Sequence, residues 1–382
     1  MGPLSGIKVV EFEAIGPGPF CGMMLADMGA DVLVVDRAGA SDLGLKRERW
    51  FDTMMRGRRS VTLDMKSRGG TQAALELVGK ADVLLEGFRP GVMERLGLGP
   101  EAALAKNPRL VYARMTGWGQ DGPWAPLAGH DINYISLAGA LAGIGQKDGP
   151  PIPPLNLVGD FGGGGMLLAF GIASALVEAH RSGKGQVVDA AMVEGASVLA
   201  AMFHGMLAAK KWNEQRGTNR LDTGAPWYDT YACKDGQYVA IGSIEPKFYA
   251  ELLSRLGVDP ASLPAQNDPA GWPAIRERFT AVFATRTRDE WCAVFEGSDA
   301  CFSPVLTWTE ARAHPHNVAR GSFVEVGGVP QPAPAPRFSR TPGAVRRPPP
   351  ERGQGGREAL SDWGFDAQGI AALSALGLGF KD

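Results

Sequence analysis

Residues 7–36 read IKVVEFEAIGPGPFCGMMLADMGADVLVVD, and this stretch decides the fold. IKVVEF is an apolar run of strand length that stops at GPGPF. CGMMLADMGA has the length and composition of a short helix closed by glycine, and DVLVVD is a second apolar strand. Strand, helix and strand in succession predict a β-α-β unit with parallel strands, and hence an α/β domain.

The alternation continues outward from there. GTQAALELVGKA (70–81) predicts a helix, and DVLLEGF (82–88) and RLVYARMTG (109–117) predict strands. A long helix with a glycine-rich start is expected from Asp160 to about Ser182, then a strand at GQVVDAAM and one helix over 194–212. The stretch PWYDTYACKDGQYVAIGS (226–243) changes character, because two alternating runs flank KDG, a hairpin signal. EPKFYAELLSRLG follows as an amphipathic helix with Pro246 in its first turn. The expected division is a large α/β domain over 1–185, linker helices over 186–224 and a small α+β domain over 225–320. A proline-rich extended return over 321–350 and C-terminal helices over 351–382 complete it.

With 382 residues, 45% of them hydrophobic and 21% charged, the chain has the composition of a globular protein of two or three domains. A formal net charge of −2 supplies no general attraction to nucleic acid. No uninterrupted apolar run reaches membrane-spanning length, so no span is expected. The opening residues enter a strand at once, which predicts no leader peptide. The four cysteines are scattered without CxxC spacing, a pattern of free thiols in a reducing cytoplasm rather than of a zinc site.

Several residues invite a chemical reading, each beside a plainer one. GPGP at 16–19, with Asp36 downstream, resembles a dinucleotide loop, but the third glycine is missing and two prolines remove backbone donors. A tight strand-to-helix turn explains it better. Basic residues crowd between 46 and 66, followed by Arg89 and Arg95; they suit either a solvated face or a polyphosphate. Asp160, in NLVGDFGGGG, could be a helix N-cap, yet a cap does not require four glycines, which instead allow close approach by a ligand or another backbone. His130, in LAGHDINY, stands at a helix start, where the positive end favours the neutral, basic imidazole. Glu245, at the hairpin-to-helix junction, has a capping role as its plainer reading.

Taken together these segments resemble the α-methylacyl-CoA racemases of the family III CoA-transferase superfamily. The resemblance rests on VVEFEAIGPGPFCGMMLADMGADV, DVLLEGFRPGVMERLGLGP, RLVYARMTGWGQDGP, LAGHDINYISLAGAL, PPLNLVGDFGGGG, GKGQVVDAAMVEG, GAPWYDTY and IEPKFY, in family order over nearly the whole chain. It implies a Rossmann-like large domain, a smaller α+β domain and an interlocked homodimer whose active sites are shared between subunits. It implies that His130 and Asp160 are the two acid/bases and that Glu245, from the partner's small domain, pairs with the histidine. The CoA part of the substrate would be held by Arg37, by Leu63, Asp64, Met65 and Lys66, by Gly87, Phe88 and Arg89, by Arg95, and by Gly129, Asp131, Ile132, Asn133 and Tyr134. No metal or redox cofactor is implied, since coenzyme A arrives with the substrate. The main rival on the same fold is a CoA-transferase using Asp160 as a covalent nucleophile. A histidine at position 130 favours proton transfer over that rival.

Overall fold

The computed structural model describes residues 2–39 and 47–381, so Lys46 of the basic cluster lies outside the described residues. The chain divides into two compact units, one formed by Met1–Ala138, Leu155–Ala200 and Val318–Asp382 and the other by Gly139–Pro154 and Ala201–Asn317.

The first unit is built on six parallel strands: β1 (Lys8–Phe12), β2 (Asp31–Arg37), β3 (Arg59–Leu63), β4 (Val83–Glu86), β5 (Val111–Thr116) and β6 (Gln186–Ala191). Their order in the sheet is β3-β2-β1-β4-β5-β6, the doubly wound arrangement. Between them run helices α1 (Pro17–Asp27), α2 (Arg68–Val78), α3 (Val92–Arg95), α4 (Pro100–Lys106), α5 (Asp131–Leu137), α6 (Leu167–Ser182) and α7 (Met192–Leu199). Successive strand residues face opposite sides, so IKVVEF serves two cores. Val10, Phe12, Leu33 and Leu84 join one, and Val9, Val32, Val83 and Leu85 the other, the latter covered by α1 and α6. Burial on both faces explains why these strands read as unbroken apolar runs. The expectation for 186–224 is corrected at its start: β6 pairs with β5 along its whole length and is an edge strand of the large sheet.

In the second unit, α8 (Ala201–Ala208) precedes the antiparallel pair β7 (Tyr228–Ala232) and β8 (Tyr238–Gly242), which joins through the KDG turn as expected. A third strand, β9 (Phe302–Pro304), adds to β8. Helices α9 (Pro246–Leu256), α10 (Trp272–Phe283), α11 (Arg288–Phe295) and α12 (Trp308–Ala313) accompany them, and α13 (Pro315–Ala319) leads back to the first unit. The aromatic core of this unit includes Trp227, Tyr231, Phe279, Phe283 and Trp291. Helix α9 starts with Pro246 at its first position and ends at Gly257 in the left-handed conformation, φ 66°. The return segment is not wholly extended: β10 (Phe323–Val326) and β11 (Val329–Pro332) form a hairpin. The chain finishes with α14 (Gly356–Asp362) and α15 (Ala367–Ala375), whose Leu360, Trp363 and Leu373 join the sheet core.

The predicted single helix over 194–212 is two helices, broken at Ala200. The glycine-rich helix also differs. It begins at Leu157, not Asp160, with ten residues (Leu157–Met166) wound as a π-helix before α6 continues to Ser182. Asp160 is therefore not an N-cap. The glycines answer the question they raise, because a Cβ on Gly163 would lie 2.7 Å from the Ala196 nitrogen and one on Gly165 2.8 Å from the Pro17 carbonyl oxygen. They admit the backbones of α7 and α1. By length and composition, Leu157–Ser182 is one helical stretch apolar enough to cross a membrane. Leu168, Ile172 and Ala175 tie it to the sheet as a covering helix.

Candidate active site

In this strand order the connections leave β1 and β4 in opposite directions, which opens a crevice at their carboxyl ends. The turn through Gly16 closes the β1 side, and Gly87 to Arg89 leave β4 on the other. The second loop is held from beneath. Phe88 donates its N–H to Glu86 Oε2 at 2.7 Å, and Glu86 accepts from Arg114 Nε at 2.8 Å.

Asp160 sits against this crevice. Its Oδ2 is 3.1 Å from where a side chain on Gly16 would begin, so the carboxyl group borders the GPGP turn. Oδ2 accepts from Asn156 Nδ2 at 3.0 Å. The backbone N–H of Asp160 donates to Asp131 Oδ2 at 2.7 Å. Burial pushes the Asp160 carboxyl above the usual carboxylate range; the Asn156 bond opposes this, the negative Asp131 adds to it, and His130 opposes it. A π-helical segment is a recurrent place for functional side chains, because the widened turn re-aims them.

The bond from Asp160 to Asp131 also brings in His130, which is the residue next to Asp131. His130 is exposed and is the N-cap of α5, its backbone N–H donating to Asn133 Oδ1 at 3.0 Å. The preceding Gly129 is anchored because its carbonyl accepts from the Tyr134 hydroxyl. Trp118 packs edge-on to Tyr134 with centroids 4.7 Å apart, forming a floor under the start of α5. Burial is the main reason that the Tyr134 hydroxyl is pushed up to about 12, with the Asp160 charge next and Arg89 opposing. His130, Asp131, Tyr134 and Asp160 thus form one group beside the β4 loop.

Other sequence-predicted positions fall around the carboxyl edge of the sheet with different orientations. Arg37, Lys66, Arg89 and Arg95 are exposed there. Arg37 is held through its backbone: its N–H donates to Glu13 and its carbonyl accepts from Arg352 at 2.8 Å. Asp64 caps its own loop by accepting from the Lys66 N–H at 3.0 Å. Leu63 is buried, and Met65 and Phe88 pack on the core, so those three offer a ligand backbone rather than side chain. The Asp131 side chain is likewise turned inward, whereas Ile132 is exposed.

Most of the basic cluster is structural. Arg49 grips Asp36 with two bonds of 2.9 and 2.8 Å, Arg56 pairs with Asp27 at 2.6 Å, and Arg58 pairs with Glu11 at 2.6 Å. The acid that a dinucleotide site would need, Asp36, is therefore closed off. Glu245 belongs to the second unit. It is the N-cap residue of α9 and exposed, as the plainer reading expects, and its side chain makes no capping hydrogen bond. Asn156 and the inward Asp131 carboxylate were not singled out as partners of Asp160 from sequence; the four-residue spacing NLVGD, one helical turn, is the signal for Asn156.

Residues 4–355 match the family model of CoA-transferase family III. The alpha-methylacyl-CoA racemase of Mus musculus is 46% identical over 372 residues, covering 97% of this chain and 96% of the relative. The Homo sapiens enzyme of the same name is 45% identical over 379 residues, with coverages of 97% and 96%. Among solved structures, a CAIB/BAIF family protein from Brucella suis superposes with a TM-score of 0.81 at 28% identity, covering 95% of this chain and 99% of that one. A parallel doubly wound sheet, a bond tying Asp160 to Asp131 beside His130, and a family match over most of the length lead to one conclusion: the chain belongs to CoA-transferase family III.

Proposed function

We propose that the chain is an isomerase, an α-methylacyl-CoA racemase that interconverts the (R)- and (S)-epimers of 2-methylacyl-CoA thioesters. Inverting a carbon beside a thioester carbonyl means removing a proton from one face and returning one to the other. Two groups are needed, each able to hold or release a proton. His130 and Asp160 fill these roles. His130, exposed at the start of α5, offers an imidazole nitrogen to accept a proton. The Asp160 carboxyl, raised by burial, is protonated more of the time than an exposed acid would be, so it has a proton to return.

The enolate formed between the two transfers needs donors at its oxygen. The first-turn N–H groups of α5, at Asp131 and Ile132, have no carbonyl behind them within the helix and suit that task. The exposed cations at the carboxyl edge suit the phosphates of coenzyme A. No metal or redox group enters the mechanism, because side chains carry both protons. Glu245, exposed and with no capping hydrogen bond from its side chain, is assigned to pairing with the histidine of a partner subunit. A homodimer is supported by apolar side chains left open on the first unit, with Phe170 at 70%, Val177 at 62% and Val198 at 61% exposed. Four unpaired cysteines fit a reducing cytoplasm.

The observation that supports the reading is the 2.7 Å bond from the Asp160 N–H to Asp131, the residue next to His130 in the chain. Its test is incubation of a single 2-methylacyl-CoA epimer in deuterated water. Both epimers should appear, with deuterium at the α-carbon. Transfer of CoA to an added carboxylate, with no α-exchange, would assign Asp160 to nucleophilic catalysis instead.

A further inference from the structure

The Asp131 carboxylate has so far been given no role in the reaction itself. It is 5% exposed, at the first position of α5. Oδ2 accepts the Asp160 N–H at 2.7 Å, while Oδ1 is buried with no hydrogen-bond partner among the described residues. The neighbouring backbone is shaped to admit it: a Cβ on Gly159 would stand 2.6 Å from Oδ2 and 2.9 Å from the carboxyl carbon. A buried, half-satisfied carboxylate is costly to keep, and an apolar residue would pack the same space without that cost.

We propose that Asp131 is the positioning residue of the pair: it fastens the π-helical turn of Asp160 to the helix start that carries His130, and its charge keeps Asp160 able to act as an acid. This rests on the racemase reading. The bond runs from the backbone of one proton carrier to the residue beside the other, so neither can shift along the crevice alone. The electrostatic half follows from the same geometry. The ionisable groups bearing on Asp160 are Asp131 and His130 from α5, with the Tyr134 hydroxyl on the same helix near Arg89; Asn156 is neutral and Gly16 carries no charge. Asp131 is the carboxylate among them, and a like charge disfavours a second one.

Two substitutions separate the two halves. Asp131→Asn retains an oxygen to accept the Asp160 N–H but lacks the charge. Asp131→Ala lacks both. In deuterated water each pure epimer is followed for inversion and for α-exchange without inversion, across pH. Asp131→Ala should lose inversion by about 10²-fold, as expected when a reacting group is misplaced by about 1 Å. Exchange on the face served by His130 should fall less, so the exchange-to-inversion ratio rises. Asp131→Asn should keep most inversion, and the acid limb for the epimer deprotonated by Asp160 should move to lower pH. An unchanged ratio in the alanine variant together with an unmoved limb in the asparagine variant would overturn the proposal. If alanine prevents folding, the limb in the asparagine variant decides alone. A wild-type chain that transfers CoA but does not invert would reject the underlying reading, an outcome distinct from either variant result.

Discussion

On the β2 side of the sheet the acids of the framework meet guanidinium groups, and Asp160, at the crevice between β1 and β4, does not. Asp27, Asp31 and Asp36 are each paired with an arginine, at 2.6, 2.6 and 2.8 Å. Asp160 has an amide, a glycine turn and a second carboxylate around it. The residue type is the same; the environment differs. An acid clamped by a guanidinium is part of the framework, and breaking such a buried pair leaves an unmatched charge. An acid held by neutral donors and pressed by burial keeps a proton that can be exchanged. The molecule separates stability from chemistry by where it puts its arginines.

Substitutions test that separation, starting with the largest effect. His130→Ala should reduce epimerisation of either epimer by about 10² to 10⁴-fold, the usual worth of a positioned acid or base, measured from the α-deuterium content of both products. Asp36→Ala should instead cost stability, about 3–5 kcal/mol in a denaturant titration, by stranding Arg49. Asp160→Asn should show no such loss, and an equal loss there would erase the comparison.

A smaller effect is expected from Gly163→Ala. The added methyl would press on the backbone of α7, at an overpacking cost of about 1–3 kcal/mol by the same titration. The smallest concerns pH. A carboxyl whose pKa is raised on folding binds protons more tightly in the native state, so it weakens the fold as pH rises through its raised value. Asp160→Asn should therefore be slightly more stable than the parent chain at neutral pH. The advantage should fade as pH falls through that value and the native acid is itself protonated. Denaturant midpoints at a series of pH values would show it.

Much of this was legible in the residues. IKVVEF and DVLVVD around a glycine-closed helix gave the β-α-β start, because strands buried on both faces leave continuous apolar runs. KDG between alternating segments placed the β7–β8 hairpin, and GHDINY and NLVGDFGGGG held the two residues proposed as proton carriers. What was not legible depends on distance along the chain. Arg58 and Glu11 are 47 residues apart, so a cluster of arginines reads alike whether it binds phosphate or sits beneath α1. The glycines after Asp160 were legible, but not that they lie against the backbones of α1 and α7 or that the segment is wound as a π-helix. The break at Ala200 has neither glycine nor proline to announce it. Asp131 read as a ligand-side residue, and only the fold turned its carboxylate toward Asp160.

The central claim is that one carbon is served from opposite faces by His130 and Asp160. The most direct test gives each pure epimer separately to His130→Ala and Asp160→Asn in deuterated water and follows loss of the α-proton. Each variant should exchange one epimer without inverting it and leave the other untouched, with the two variants choosing opposite epimers. If both variants exchange the same epimer, or either one still inverts at the parent rate, the two residues do not face a common carbon and the account is wrong.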